Sequence, residues 1–102
     1  MGKLIYGDGS TEIEFEDRLL AHLKVAIVTK LRRGETFTLS WDHGHDQGSG
    51  RSTIWLHPGI PLHFLFFGGR EPVLNRAWAE AMLISASSTN GMQIMPEPPQ
   101  SA

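Results

Sequence analysis

Apolar residues recur at every second position in about six short runs of this chain and at helical spacing in two longer ones. That succession of periods limits the fold more than any composition could. Phe37, Leu39 and Trp41 alternate with Thr36, Thr38 and Ser40, which defines a strand over residues 35–41. Ile13 and Phe15 alternate in the same way with Glu12, Glu14 and Glu16, so the carboxylate face meets water. Leu4 and Tyr6 come before them and Gly7-Asp8-Gly9 supplies a tight turn, so residues 2–16 read as a β-hairpin. The period then changes. Leu20, Leu23, Ile27 and Leu31 fall in one arc of a helix over residues 18–33. Asp17 is placed to accept from the free amides at its start, Arg32 and Arg33 suit the dipole in its last turn, and Gly34 stops it. His22 falls on the polar side and is expected to be exposed. Lys24 is expected to lay its methylenes on the core edge and keep its ammonium in water.

Residues 42–51 are glycine-rich and hold no aliphatic side chain, which makes them a loop. Thr53 to His57 and Leu62 to Phe67 are two more strands, joined by the rigid Pro58-Gly59-Ile60-Pro61. Pro72 suits the first turn of a second helix whose buried face is Leu74, Trp78, Ala81 and Ser85. Met92 to Met95 reads as a last short strand. The order β-β-α-β-β-β-α-β predicts an α+β domain over residues 1–95: a mainly antiparallel sheet of about five to six strands with both helices on one face. Pro96 to Ala102 is a proline-rich tail expected to be loose.

The strands between 53 and 67 are apolar on both sides. With Ile54, Leu56, Leu62, Phe64 and Phe66 turned to the helices, Trp55, Leu65 and Phe67 fall on the opposite face beside His57 and His63. A surface of this kind is expected to be covered by a partner, and a homodimer is the first reading. The second reading is a divalent-metal or small-ligand site. Asp42-His43-Gly44-His45-Asp46 offers imidazoles and carboxylates, and His57 or His63 could complete the set around His43 and His45. The third reading is contact with phosphates through Lys24, Lys30, Arg32 and Arg33.

Several activities lack their residues. The sequence has no Gly-x-Ser-x-Gly elbow, no Gly-x-x-x-x-Gly-Lys-Ser/Thr loop and no His-Glu-x-x-His. It has no cysteine, so neither disulfide nor thiolate chemistry is available, in keeping with a reducing cytoplasm. A net charge of −2 gives no general attraction to nucleic acid or anionic membranes. No stretch approaches the roughly 20 apolar residues of a membrane span. The expectation is a cytoplasmic module without a resident cofactor that works by association.

Three segments together carry a resemblance. They are Met1-Gly2-Lys3-Leu4-Ile5-Tyr6-Gly7; Leu20-Ala21-His22-Leu23-Lys24 with Val28-Thr29-Lys30-Leu31-Arg32-Arg33; and Trp55-Leu56-His57-Pro58 through Ile60-Pro61-Leu62 with Leu74-Asn75-Arg76-Ala77-Trp78. Over nearly the whole chain they resemble a group of roughly 100-residue actinobacterial proteins of unknown function, often labelled ATP-dependent DNA ligase. The resemblance implies no established activity and transfers no catalytic residue. A ligase attacks with the lysine of Lys-x-Asp-Gly, whereas here Lys3 and Asp8-Gly9 are four residues apart, across the expected turn. The chain is also too short for a nucleotidyltransferase domain and its partner domain.

Overall fold

The hairpin forms as β1 (Gly2–Tyr6) and β2 (Thr11–Phe15) in a computed structural model that describes residues 1–43 and 50–99. Gly7 and Gly9 both take positive φ in its turn, a conformation that costs glycine little. The rest follows the expected order: α1 (Asp17–Arg32), β3 (Phe37–Asp42), β4 (Arg51–Leu56), β5 (Leu62–Leu65), α2 (Arg76–Ala86) and β6 (Met92–Gln93). The fold is α+β, and no helix among the described residues is long and apolar enough to cross a membrane.

The strands divide differently from the single sheet expected. They form two sheets of three, β2-β1-β5 and β4-β3-β6. β4 and β5 do not pair with each other. Past Pro58 the chain turns through the Ile60 N–H bond to His57 O, and Gly7 N–H then takes Pro61 O at 3.0 Å. That bond draws the next strand alongside β1, where Leu4 faces Phe64 and Lys3 faces Leu65. β6 lies parallel to β3, with Leu39 opposite Met92, while the other pairings are antiparallel.

Both sheets and both helices close on one core. Leu4, Ile13 and Phe15 come from the first sheet, Phe37, Leu39, Leu56 and Met92 from the second, Leu20, Leu23 and Ile27 from α1, and Trp78 and Met82 from α2. Each such burial contributes about 1.5–3 kcal/mol. Phe15 meets Trp41 edge-on at 6.3 Å across the two sheets, and the Tyr6 hydroxyl donates to Trp55 O.

Two helix starts also depart from expectation. α1 begins at Asp17 itself, and no side chain caps it. The Asp17 carboxylate reaches the first sheet instead, accepting from Gly68 N at 2.7 Å and, more weakly, from Phe67 N at 3.4 Å. α2 opens four residues after Pro72, because Asn75 is its cap: Oδ1 accepts from Ala77 N and Trp78 N. Its buried face is accordingly Trp78, Ala79, Met82 and Ala86, and Leu74 lies outside it, exposed.

Gly91 lets the turn after α2 press onto β3. Its φ is +75°, and a Cβ there would overlap the Thr38 hydroxyl and lie 2.8 Å from Thr38 O. Gly91→Ala is therefore expected to destabilise the protein by about 2–4 kcal/mol, from the left-handed backbone and the clash together. Urea unfolding midpoints check this; an unchanged midpoint would mean that the turn does not sit against Thr38.

Candidate functional site

Splitting the strands into two sheets also splits the expected interaction surface. On the first sheet, strand alternation puts Glu12 and Glu14 of β2, Lys3 and Ile5 of β1, and His63 and Leu65 of β5 on the face away from the core. Lys3 donates to Glu12 at 3.0 Å, which pushes the lysine up from its ordinary pKa. His63 lies opposite Ile5, on the edge strand across the sheet from the acidic row. Phe67 follows two residues after the end of β5; it is 60% exposed, and its backbone is held by the Asp17 carboxylate.

Trp55 belongs to the second sheet. Its ring is 50% exposed and its ladder partner is Thr38. The same outer face continues through Ser40 and Thr53, whose hydroxyls meet at 2.8 Å, to Asp42 and Arg51, with Gln93 added by β6. The turn at Ser88–Asn90 stands beside this face, so that a polar trough runs along it. Thr36, Thr38 and Ser40 were evident as a strand's polar side. Their trough was not, because the turn that walls it depends on Gly91.

The histidines are not gathered. His57 is exposed and accepts from Gly59 N at Nδ1. His43 is exposed and shares a hydrogen bond with Ser52, while His45 lies outside the described residues. Among the described residues no three His, Cys, Asp or Glu side chains stand close enough to hold a metal ion.

The basic set is divided as well. Lys24 is exposed, with its ammonium 5.8 Å from the centre of the Phe66 ring, and Arg32 and Arg33 are exposed at the end of α1. Lys30, expected on the same open face, is buried. Its ammonium donates to Glu35 at 2.8 Å and to Ser87 at 3.1 Å, clamping the end of α1 to the end of α2. The bond from Lys30 holds the Glu35 carboxyl below its usual range.

His22 is the other correction on α1: it is fully buried. The segment leading into α2 covers it, and both ring nitrogens are used. Nδ1 lies 2.7 Å from Arg18 O and Nε2 accepts from Asn75 N at 2.8 Å, so the proton sits on Nδ1. The ring lies on Trp78 at 4.6 Å between centroids. Asn75 Nδ2 donates to Glu97 at 3.0 Å and to Pro98 O at 2.8 Å, and Arg18 grips Glu97 with two nitrogens at 2.8 and 2.7 Å. These bonds, with that from the Trp78 indole to Met95 O, attach residues 95–98 to both helices. The Arg18 guanidinium and then the Asn75 amide lower the Glu97 pKa to about 2. The hub is structural, since every polar atom named in it is spoken for.

A family model for a domain of unknown function, DUF7882, matches residues 1–97. No curated protein and no solved structure matches the chain.

Two outcomes test these networks. The Glu97 pKa is depressed by folding, so its stabilisation is complete above the ordinary carboxyl value of 4.5 and is lost as pH falls to about 2. Thermal melts should therefore show wild type above Glu97→Gln at pH 6, with the gap closing across that window; a constant gap contradicts the Arg18 grip. At the Lys30 clamp, Glu35→Ala leaves a buried ammonium short of its counter-charge, whereas Lys30→Met removes the charge and keeps the stem. Glu35→Ala is expected to lower the melting temperature more, and the reverse order would contradict burial of the ammonium.

Proposed function

Because the chain belongs to the DUF7882 family, a domain of unknown function, its role has to be read from its own surfaces, and we propose that it is a non-catalytic association module that forms a homodimer through the outer face of the first sheet. The observation that carries this reading is Phe67, which is 60% exposed on a backbone tied to α1 by Asp17. An aromatic side chain on a fixed backbone loses little freedom on docking, which is what an interface anchor requires. Leu65 and Ile5 extend the apolar ground beside it.

The charge pattern favours a second copy as the partner. Glu12 and Glu14 line one edge of the face and His63 the other, with Ile5 between them. A two-fold axis parallel to β1 would set the acidic row of each copy opposite the histidine of the other, a self-complementary arrangement. Trp55 drops out of this interface because it stands on the other sheet. Three short strands span only roughly 14 by 17 Å. That is small beside the about 800 Å² per partner of a standard interface, so the dimer should be weak and concentration-dependent.

Neither alternative gains a supporting observation. Among the described residues no metal-binding group forms, and Lys30 is turned into the clamp with Glu35 and Ser87, away from the exposed Lys24, Arg32 and Arg33, so the four cations form no common phosphate surface. The ligase label of similar proteins is likewise not adopted: Lys3 lies within β1 and Asp8 and Gly9 in its turn, so the elements of the adenylation motif stay apart.

Sedimentation velocity tests the proposal. A monomer–dimer equilibrium is expected with a dissociation constant on the order of 10–100 μM. Phe67→Glu should abolish it, while Ile84→Glu, at a still more exposed apolar site on α2, should not. A wild-type chain that stays monomeric at about 1 mM, well above that range, would end the proposal.

A further inference from the structure

The trough on the second sheet has a different chemistry from the proposed dimer face, and nothing so far gives it a ligand. Its floor is the outer side of β3 and β4, where Thr38, Ser40 and Thr53 present hydroxyls. Its wall is the turn after α2, with Thr89 and Asn90. Thr38 and Thr89 line both halves of the concavity, so the two halves adjoin. From Trp55 to Arg51 the floor runs four residues along β4, roughly 14 Å. The larger half alone encloses about 890 Å³.

Three features define what could lie there. Trp55 closes one end with a half-exposed ring, on a backbone whose carbonyl is held by the Tyr6 hydroxyl. Lys30 lines the same end from below, and its side chain is 6% exposed. An ammonium has three protons; among the described residues two go to Glu35 and Ser87, which leaves one for a ligand oxygen. The formal charges along the trough are Lys30 and Arg51 against Glu14, Glu35 and Asp42, two cations to three carboxylates. That balance disfavours phosphates and sulfates. The floor is a sheet face and not a strand edge, so an added peptide strand would find no backbone ladder there. What remains complementary is a ligand with many neutral hydroxyls and one apolar flat side.

We propose that the trough binds a neutral oligosaccharide, with a sugar ring stacked on Trp55, a ring oxygen or hydroxyl at the Lys30 ammonium, and further hydroxyls over Thr38, Ser40 and Thr53. Stacking supplies the apolar contact and the paired donors and acceptors supply orientation, as in other largely preformed small-molecule sites. Of the proposed dimer face only Glu14 also lines the trough, at its rim, and none of the residues assigned to the sugar is shared, so either can fail without the other.

Two-dimensional amide NMR with four neutral hexasaccharides as probes (cellohexaose, maltohexaose, laminarihexaose and xylohexaose) decides the matter. At least one is expected to bind saturably at millimolar concentration, moving the Trp55 indole N–H and the amides of Thr38 and Thr53 while leaving Phe67 still. Trp55→Ala should weaken that binding at least about tenfold, the loss expected of a central aromatic anchor. Because the ring is half exposed, the variant should keep the spectrum of a folded protein, and Thr53→Val, which keeps the strand but removes a hydroxyl, is expected to weaken binding too. The proposal is overturned if no probe moves these resonances at about 10 mM, weaker than any stacked site should be. It is equally overturned if Trp55→Ala and Thr53→Val both bind as wild type, or if a sulfated hexasaccharide binds more tightly than every neutral one.

Discussion

Asn75 joins three parts of the molecule through one side chain and its own amide. Its N–H bonds the buried ring of His22 on α1, its Oδ1 caps α2, and its Nδ2 holds Glu97 and Pro98. That joint caps the start of α2 and ties it to α1, as the Lys30 clamp ties their far ends. The consequences run outward. α2 sets where β6 meets β3, and the turn before β6 walls the trough on the second sheet. A buried polar group left without its partner costs about 1–3 kcal/mol, and here several share partners, so the hub fixes one arrangement and penalises the others.

With the helices so placed, one core has to serve two small sheets. Each strand can give it only one side. The inner rows are mainly apolar, and the outer rows are left to carry whatever the protein does. The Pro58–Pro61 connection then decides how those outer rows are distributed. By delivering β5 to β1, it separates Trp55 from His63, Leu65 and Phe67, and turns one expected surface into two of unlike chemistry. The first sets Ile5 and Leu65, with Lys3 paired to Glu12, between an acidic row and His63, suited to another copy of itself. The second is hydroxyl-rich with a single aromatic platform.

Much of the fold was legible in the residues. Alternation in 11–15 and 36–41 and the helical arc from Leu20 to Leu31 set the element types and their apolar faces, because those follow from backbone period alone. Which strands become neighbours does not follow from period. Nothing in Leu62 to Leu65 distinguishes β4 from β1 as a partner; the bond from Gly7 to Pro61 O does, and it joins residues far apart in the chain. Asp17 shows the same limit. Its capacity to accept amides was evident, but the amides it takes are those of Phe67 and Gly68. His22 and Lys30 were placed outward because an isolated helix leaves that side in water. α2 and its flanking segments cover both, and Glu97, in a run with the composition of a loose tail, supplies the carboxylate that completes the hub.

The central claim is that the two outer faces do different work, and that only the first sheet meets a second copy. Amide chemical shifts followed as protein concentration is raised test this residue by residue. Movement is expected at Ile5, His63, Leu65 and Phe67, with Thr38, Thr53 and Trp55 unmoved. Shifts centred on Trp55 and its neighbours, or none on either sheet, would contradict the account.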